Sequence, residues 1–138
     1  PDGKRTAPSA GNSQEIDIYA ALKTGLYVYD PAAHVLNPVL EDDLREFTGQ
    51  QDFTQTAPVN LIFVADLDKL GRYPDDVRAF YSAADTGFVS QIVYLFCASQ
   101  GLATVVLGWL DKDALAQKMG LKDHQKVILT QPVGFPAE

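Results

Sequence analysis

Residues 15–39 run in short stretches rich in Ile, Val, Tyr and Leu, each ended by turn chemistry. Residues 15–22 give way to Lys23-Thr24-Gly25, residues 26–29 to Asp30-Pro31, and residues 35–39 complete the set. That spacing predicts three strands joined as a meander. Over residues 41–47 acids occupy what would be a first helical turn and Gly49 follows the last periodic position, so a short helix is predicted. The apolar run over residues 59–65, led in by Pro58, is short and β-branched and reads as a buried strand. A loop over residues 66–74 follows, and then the period changes. Phe80, Ala84, Phe88, Ile92 and Phe96 stand four apart, which predicts a helix over residues 75–100 closed by Gly101. At 1.5 Å per residue it would span roughly 39 Å. Its second half is apolar nearly all round, so the expectation is a helix running through the middle of the protein. Gly87 inside it costs about 1 kcal/mol against alanine, which points to close contact with another helix or a partner subunit. Asp111 then reads as the N-cap of a helix over residues 112–119 with Gly120 as its stop. Alternation over residues 126–135 predicts a last strand. Meander, helix, strand, long helix, helix, strand is the order of an α+β domain. No repeat or linker divides residues 1–138, so one domain is expected.

Composition supports a packed core and narrows the partners. The 138 residues are 46% hydrophobic, enough for one globular unit. The net charge is −7 and no basic cluster is longer than Lys4-Arg5, so nucleic acid and anionic membrane surfaces are unfavoured partners. No uninterrupted run reaches the roughly 18 apolar residues of a transmembrane helix. The one cysteine, Cys97, lies in an apolar run and reads as a buried, inert thiol. The sequence opens on Pro1 and a polar, turn-forming stretch, so preceding residues are expected. The default compartment is the cytoplasm, with export left open.

Most catalytic signatures are missing. His34 and His124 have no HxH or HExxH spacing and read as exposed, so no zinc ligand set is expected. There is no GxSxG elbow, no phosphate loop, and no GxGxxG around Gly101 or Gly108. The acid pairs Asp42-Asp43 and Asp75-Asp76 fall at helix starts, where the macrodipole accounts for them. The stretch Arg5-Thr6-Ala7-Pro8-Ser9-Ala10-Gly11-Asn12-Ser13-Gln14 is different. It places a positive charge, small residues and several uncharged hydrogen-bonding groups in one loop ahead of a strand.

Within that loop, residues 8–14 resemble the P-S-x-x-N-x-Q element of nitroreductase-family flavoproteins. Other stretches resemble the family in the same order. Gly49-Gln50 followed by Ala57-Pro58 is similar to the family's flavin-edge contact and the strand after it. Asp85-x-Gly87-x-x-x-Gln91-x-x-x-Leu95, with Ala98-x-x-Gly101-Leu102, is similar to its long central helix and the turn that follows. Leu107-Gly108 stands where the family lays backbone over the flavin, and Val133-Gly134-Phe135-Pro136 resembles its closing strand.

The resemblance implies a nitroreductase-like α+β fold, a central antiparallel or mixed sheet packed by long helices, and a homodimer with FMN at its interface. By position, Pro8, Ser9, Ala10 and Asn12 would touch the flavin bound mostly by the partner subunit. Gln50 would bond the pyrimidine edge, and the Leu107 and Gly108 backbone would offer an N–H to N5. Arg5 is the candidate phosphate contact. The family's Arg/Ser-rich N-terminal element and the basic pair after the last strand have no counterpart in residues 1–138, and Leu107 replaces a frequent glutamate. The implied activity is ping-pong hydride transfer from NAD(P)H through FMN to a small electron-poor acceptor such as a nitroaromatic or quinone. No side chain is expected to act as nucleophile or base. Two alternatives stay open: a flavin-dependent azoline dehydrogenase acting on modified peptides, which the chain also resembles, and a flavin-free binding or dimerisation module with the same fold.

Overall fold

The computed structural model describes residues 3–137. The polar opening at Pro1 and Asp2 and the end of the chain at Glu138 lie outside the described residues. The meander forms as the turn chemistry predicts: β1 (Ile16–Leu22), β2 (Gly25–Asp30) and β3 (Val35–Leu40). Lys23 and Thr24 make the first turn, which leaves Leu22 opposite Gly25. Gly25 has φ +145, and a Cβ there would lie 2.5 Å from the Leu40 carbonyl oxygen, so no other residue fits. At the second turn the Asp30 carboxylate accepts the N–H groups of Ala32 and Ala33.

β4 (Val59–Asp66) pairs with β1, and β6 (Gln125–Gly134) pairs with β4. A two-residue strand, β5 (Ala103–Thr104), closes the far edge. The six strands run β3-β2-β1-β4-β6-β5 and every described pairing is antiparallel. The central strand β4 is buried over Ile62, Phe63, Val64 and Ala65, which is why its sequence is a continuous apolar run and not an alternating one. Ile62 and Val64 face a core shared with Tyr19, Leu26, Leu44, Leu115 and Met119. Phe63 and Ala65 join Ile16 on the other side, where Val89 and Val93 of the long helix pack.

The long helix, α1 (Asp75–Gln100), has its two acids in the first turn and a left-handed Gly101 at its end. α2 (Lys112–Met119) is capped by the Asp111 side chain on the Ala114 N–H and stopped by Gly120. Two expectations need correction. Residues 41–47 do not form an α-helix; a single 3-10 turn (Arg45–Thr48) begins later, because Asp43 takes both the Arg45 N–H and its guanidinium. More consequentially, α1 does not run through the middle of this chain. Its buried residues are Ser82, Asp85, Thr86, Ser90 and Cys97, whereas Phe80, Leu95 and Phe96 are 68%, 61% and 59% exposed. Small and polar residues, with Val89 and Val93 beside them, meet the sheet, and the aromatic face looks outward. Cys97 is buried as expected, and burial pushes its thiol up in pKa.

Candidate flavin site

The sequence-derived site residues fall into two groups. The first surrounds Gln50, Leu107 and Gly108. Leu107 bridges Thr130 of β6 through both main-chain bonds, its N–H to the Thr130 carbonyl at 2.8 Å and the return bond at 3.0 Å. The Thr130 hydroxyl in turn donates to the Thr48 carbonyl, so one residue of β6 holds both segments. The Gln50 N–H donates to the Trp109 carbonyl at 3.2 Å. Gly49 is pressed between them: a Cβ there would come within 2.7 Å of a Leu107 methyl and 2.9 Å of the Thr54 methyl. Gln50, Gly108 and Trp109 are exposed, and the Gly108 N–H has no acceptor among the described residues. The structure thus brings the Gln50 and Leu107-Gly108 segments side by side, with a free donor between exposed side chains.

A buried amide fixes this group from below. Asn60 Nδ2 lies 2.7 Å from Thr48 Oγ1, 2.8 Å from the Thr54 carbonyl and 3.2 Å from the Arg45 carbonyl. From the other side, the Tyr94 hydroxyl of α1 accepts the Val106 N–H at 2.8 Å. Ser90 Oγ donates to Gln131 Oε1 at 2.8 Å, tying α1 to β6 beside Thr130.

The second group is the loop that carries Pro8, Ser9, Ala10 and Asn12. It is tightly bonded to itself: Ser9 Oγ accepts the Gln14 N–H at 2.9 Å, the Ser9 carbonyl accepts the Asn12 N–H at 3.0 Å, and Asn12 Oδ1 accepts from the Gln14 amide at 3.1 Å. Asn12 and Gln14 sit at φ 55 and 50, a left-handed conformation that side chains rarely adopt and that these bonds hold in place. Asp85 anchors the loop to α1 by accepting the Ala10 N–H at 2.8 Å. Arg72 holds the outer side, donating to the Gly11 carbonyl at 2.9 Å and to Ser13 Oγ at 3.1 Å. Arg5 reaches across to the end of the loop, its guanidinium on the carbonyls of Gln14 and Ile16.

No described bond joins the two groups directly. Both are fastened to α1, one at Asp85 and the other at Tyr94, which places their anchors about 14 Å apart along the axis at 1.5 Å per residue. Glu15, Asp85, Arg72, Asn60, Tyr94 and Thr130 were not singled out as site residues by sequence. Only Asp85 had a signal, its place in the spaced Asp-Gly-Gln-Leu series. His124, expected to be exposed, is half-buried between two carboxylates, Nε2 at 3.8 Å from Asp66 and Nδ1 at 3.6 Å from Asp68. The three side chains each bring one possible ligand atom within 4.8 Å of the others, a cluster that the sequence spacing did not predict.

The residues present fit a flat, hydrogen-bonding cofactor such as FMN. Gly108 supplies an unpaired donor, Gln50 an exposed amide, and the loop at Ser9 a rigid edge of small residues. A nitroreductase-family protein of Methanocaldococcus jannaschii is 29% identical over 146 residues, which cover 99% of this chain and 73% of that one. The NADPH-flavin oxidoreductase of Vibrio harveyi is 27% identical over 103 residues, 69% of this chain and 43% of that one. Among solved structures, a nitroreductase-family protein from Ralstonia eutropha JMP134 superposes with a TM-score of 0.91 at 44% identity, over 97% of this chain and 64% of that one. A chain of the Escherichia coli microcin synthetase McbBCD complex, solved with truncated pro-MccB17 bound, superposes with a TM-score of 0.86 at 20% identity, over 100% of this chain and 59% of its own. The model of the Nitroreductase family matches residues 2–135, and the chain belongs to that family.

Proposed function

We propose that this chain is the flavin-binding part of an FMN-dependent NAD(P)H oxidoreductase that works as a homodimer. The observation that carries the reading is the exposed Gly108 N–H beside Gln50, held by Thr130 and lacking an acceptor among the described residues. A main-chain donor fixed in advance where negative charge develops costs no reorganisation during the reaction. Bound FMN would supply two-electron redox chemistry, drawing on NAD(P)H and delivering to a small electron-poor acceptor such as a nitroaromatic or quinone.

The residues of this chain then bind and orient. Gly108 would donate to N5 of the ring, the Gln50 amide would pair with its pyrimidine edge, and Leu107 would back the slot. Pro8, Ser9, Ala10 and Asn12 would close it from the second subunit. Arg5 would reach the phosphate by exchanging its bonds to Gln14 and Ile16. The second subunit is supported by the outward face of α1. Phe80, Phe88, Leu95 and Phe96 are exposed in one chain, and a Cβ at Gly87 would touch nothing within 4 Å. Aromatic side chains left in water on a long helix are what a second copy of that helix would cover.

Oxidation of azoline rings in modified peptides is the second reading, favoured by the close backbone match to the microcin synthetase chain. The full-length protein, purified and examined by absorbance and sizing, tests the proposal. Flavin bands, FMN released on denaturation and a dimer are expected. A colourless monomer would favour the flavin-free module. If the flavin is present, NAD(P)H oxidation with a quinone, set against turnover of an azoline peptide, separates the two enzyme readings.

A further inference from the structure

Two carboxyl groups meet beneath the loop that carries Ser9 and Asn12, and the flavin reading uses neither. Glu15 is 0% exposed, and with both acids ionised neither of its carboxyl oxygens has a hydrogen-bond partner among the described residues. Asp85, 3% exposed, stands beside it on α1 and accepts the Ala10 N–H. Ionised carboxylates only accept, so two side by side can bond only when one carries a proton. Burial, helped by Asp85, raises the Glu15 pKa from 4.5 to about 7.

The surrounding cations are engaged elsewhere. Lys69, from the 3-10 turn after β4, pulls the Glu15 pKa down only weakly, since its Nζ lies 2.9 Å from Asp17 and 3.9 Å from Asp66. Arg5 donates to the carbonyls of Gln14 and Ile16, and Arg72 to the Gly11 carbonyl and Ser13 Oγ. The main chain at Glu15 favours the ionised form more than Lys69 does, but burial outweighs both, so it is a proton that lets the two acids lie together. We propose that Asp85, hydrogen-bonded by protonated Glu15, is the positioning residue for the flavin-contacting loop, which is held while Glu15 keeps its proton and loosens when that proton leaves. Loss of the proton sets two charges against each other in a buried space, and Asp85 can no longer keep its place on the Ala10 N–H. The functional consequence rests on the flavin reading; the acid pair does not.

The test uses the full-length protein stripped of flavin, titrated with FMN between pH 6 and pH 8.5, alongside hydrogen-exchange protection of the Ala10 amide corrected for its intrinsic rate. Wild type should bind FMN about tenfold more weakly at the upper pH, with Ala10 protection falling in parallel. Glu15→Gln keeps a neutral donor to Asp85, and Asp85→Asn supplies a donor to Glu15 while still accepting from Ala10. Both should flatten both profiles. A Glu15→Gln profile that follows wild type overturns the proposal, as does Ala10 protection that changes while FMN affinity does not. Absence of FMN binding at every pH sinks the flavin reading instead, and Ala10 protection alone then decides for or against the acid pair.

Discussion

Asn60 is the second residue of an apolar strand and fully buried, where an amide has no reason to be unless something nearby needs it. Its Nδ2 is the shared donor for Thr48 and the Thr54 carbonyl, which fold the chain so that Gln50 emerges facing Gly108. Asn60→Ala leaves those acceptors buried and unpaired, and should cost about 2 kcal/mol in a urea titration while weakening flavin binding. At Gly108 the chemistry resides in the main chain, so two substitutions separate shape from donor. Gly108→Ala adds a methyl that would meet a Leu129 methyl at 3.4 Å, a contact that needs only slight adjustment, and should reduce flavin at close to the wild-type rate. Gly108→Pro removes the N–H and should slow reduction by about 100-fold in stopped-flow measurements. Gln50→Ala should weaken FMN binding by the worth of one amide contact, about tenfold. Equal kinetics in Gly108→Pro and Gly108→Ala would show that no donor at this position matters.

The elements were legible where local chemistry decides them. Turn residues at Lys23-Thr24-Gly25 and Asp30-Pro31 delimit the meander, and Asp75-Asp76 with Gly101 set both ends of α1. Gly25→Ala should cost more than about 2 kcal/mol, because both its φ and the Leu40 carbonyl exclude a side chain. The reading went astray where a local preference competes with another contact. Asp43 bonds Arg45 before a helical turn can form, and β5 is too short to leave a pattern. The orientation of α1 was illegible for a different reason: periodicity shows that a face is apolar without showing what covers it. In one chain that face is bare, and the fully buried residues of the helix are Ser82, Asp85, Thr86, Ser90 and Cys97, with Val89 and Val93 packed beside them. Phe88→Asp should therefore leave the fold intact by circular dichroism and, on the proposed homodimer, shift sizing from dimer to monomer with loss of flavin.

At the scale of the whole molecule, the raised pKa of Glu15 makes stability depend on pH. Its folded value of about 7 exceeds its unfolded 4.5, so the native state holds the proton more tightly. The contribution is fully present below pH 4.5 and is lost as pH rises through 7. Urea midpoints for wild type should fall between pH 5 and pH 8, and Glu15→Gln should remove most of that fall. The stretches proposed to face the flavin were legible in the sequence, since they lie in short contiguous motifs. The supports could not, because they join distant positions: Ala10 to Asp85, Val106 to Tyr94, Thr48 to Thr130. Thr130 carries the widest consequence. It bridges Leu107 through its main chain and grips the Thr48 carbonyl through its hydroxyl, so two segments far apart in sequence share a single fastening. Substitutions in one flank will shift the other, and mutational effects across the two should combine non-additively; descendants of this protein that retune one rim of the slot are expected to carry a compensating change in its opposite rim.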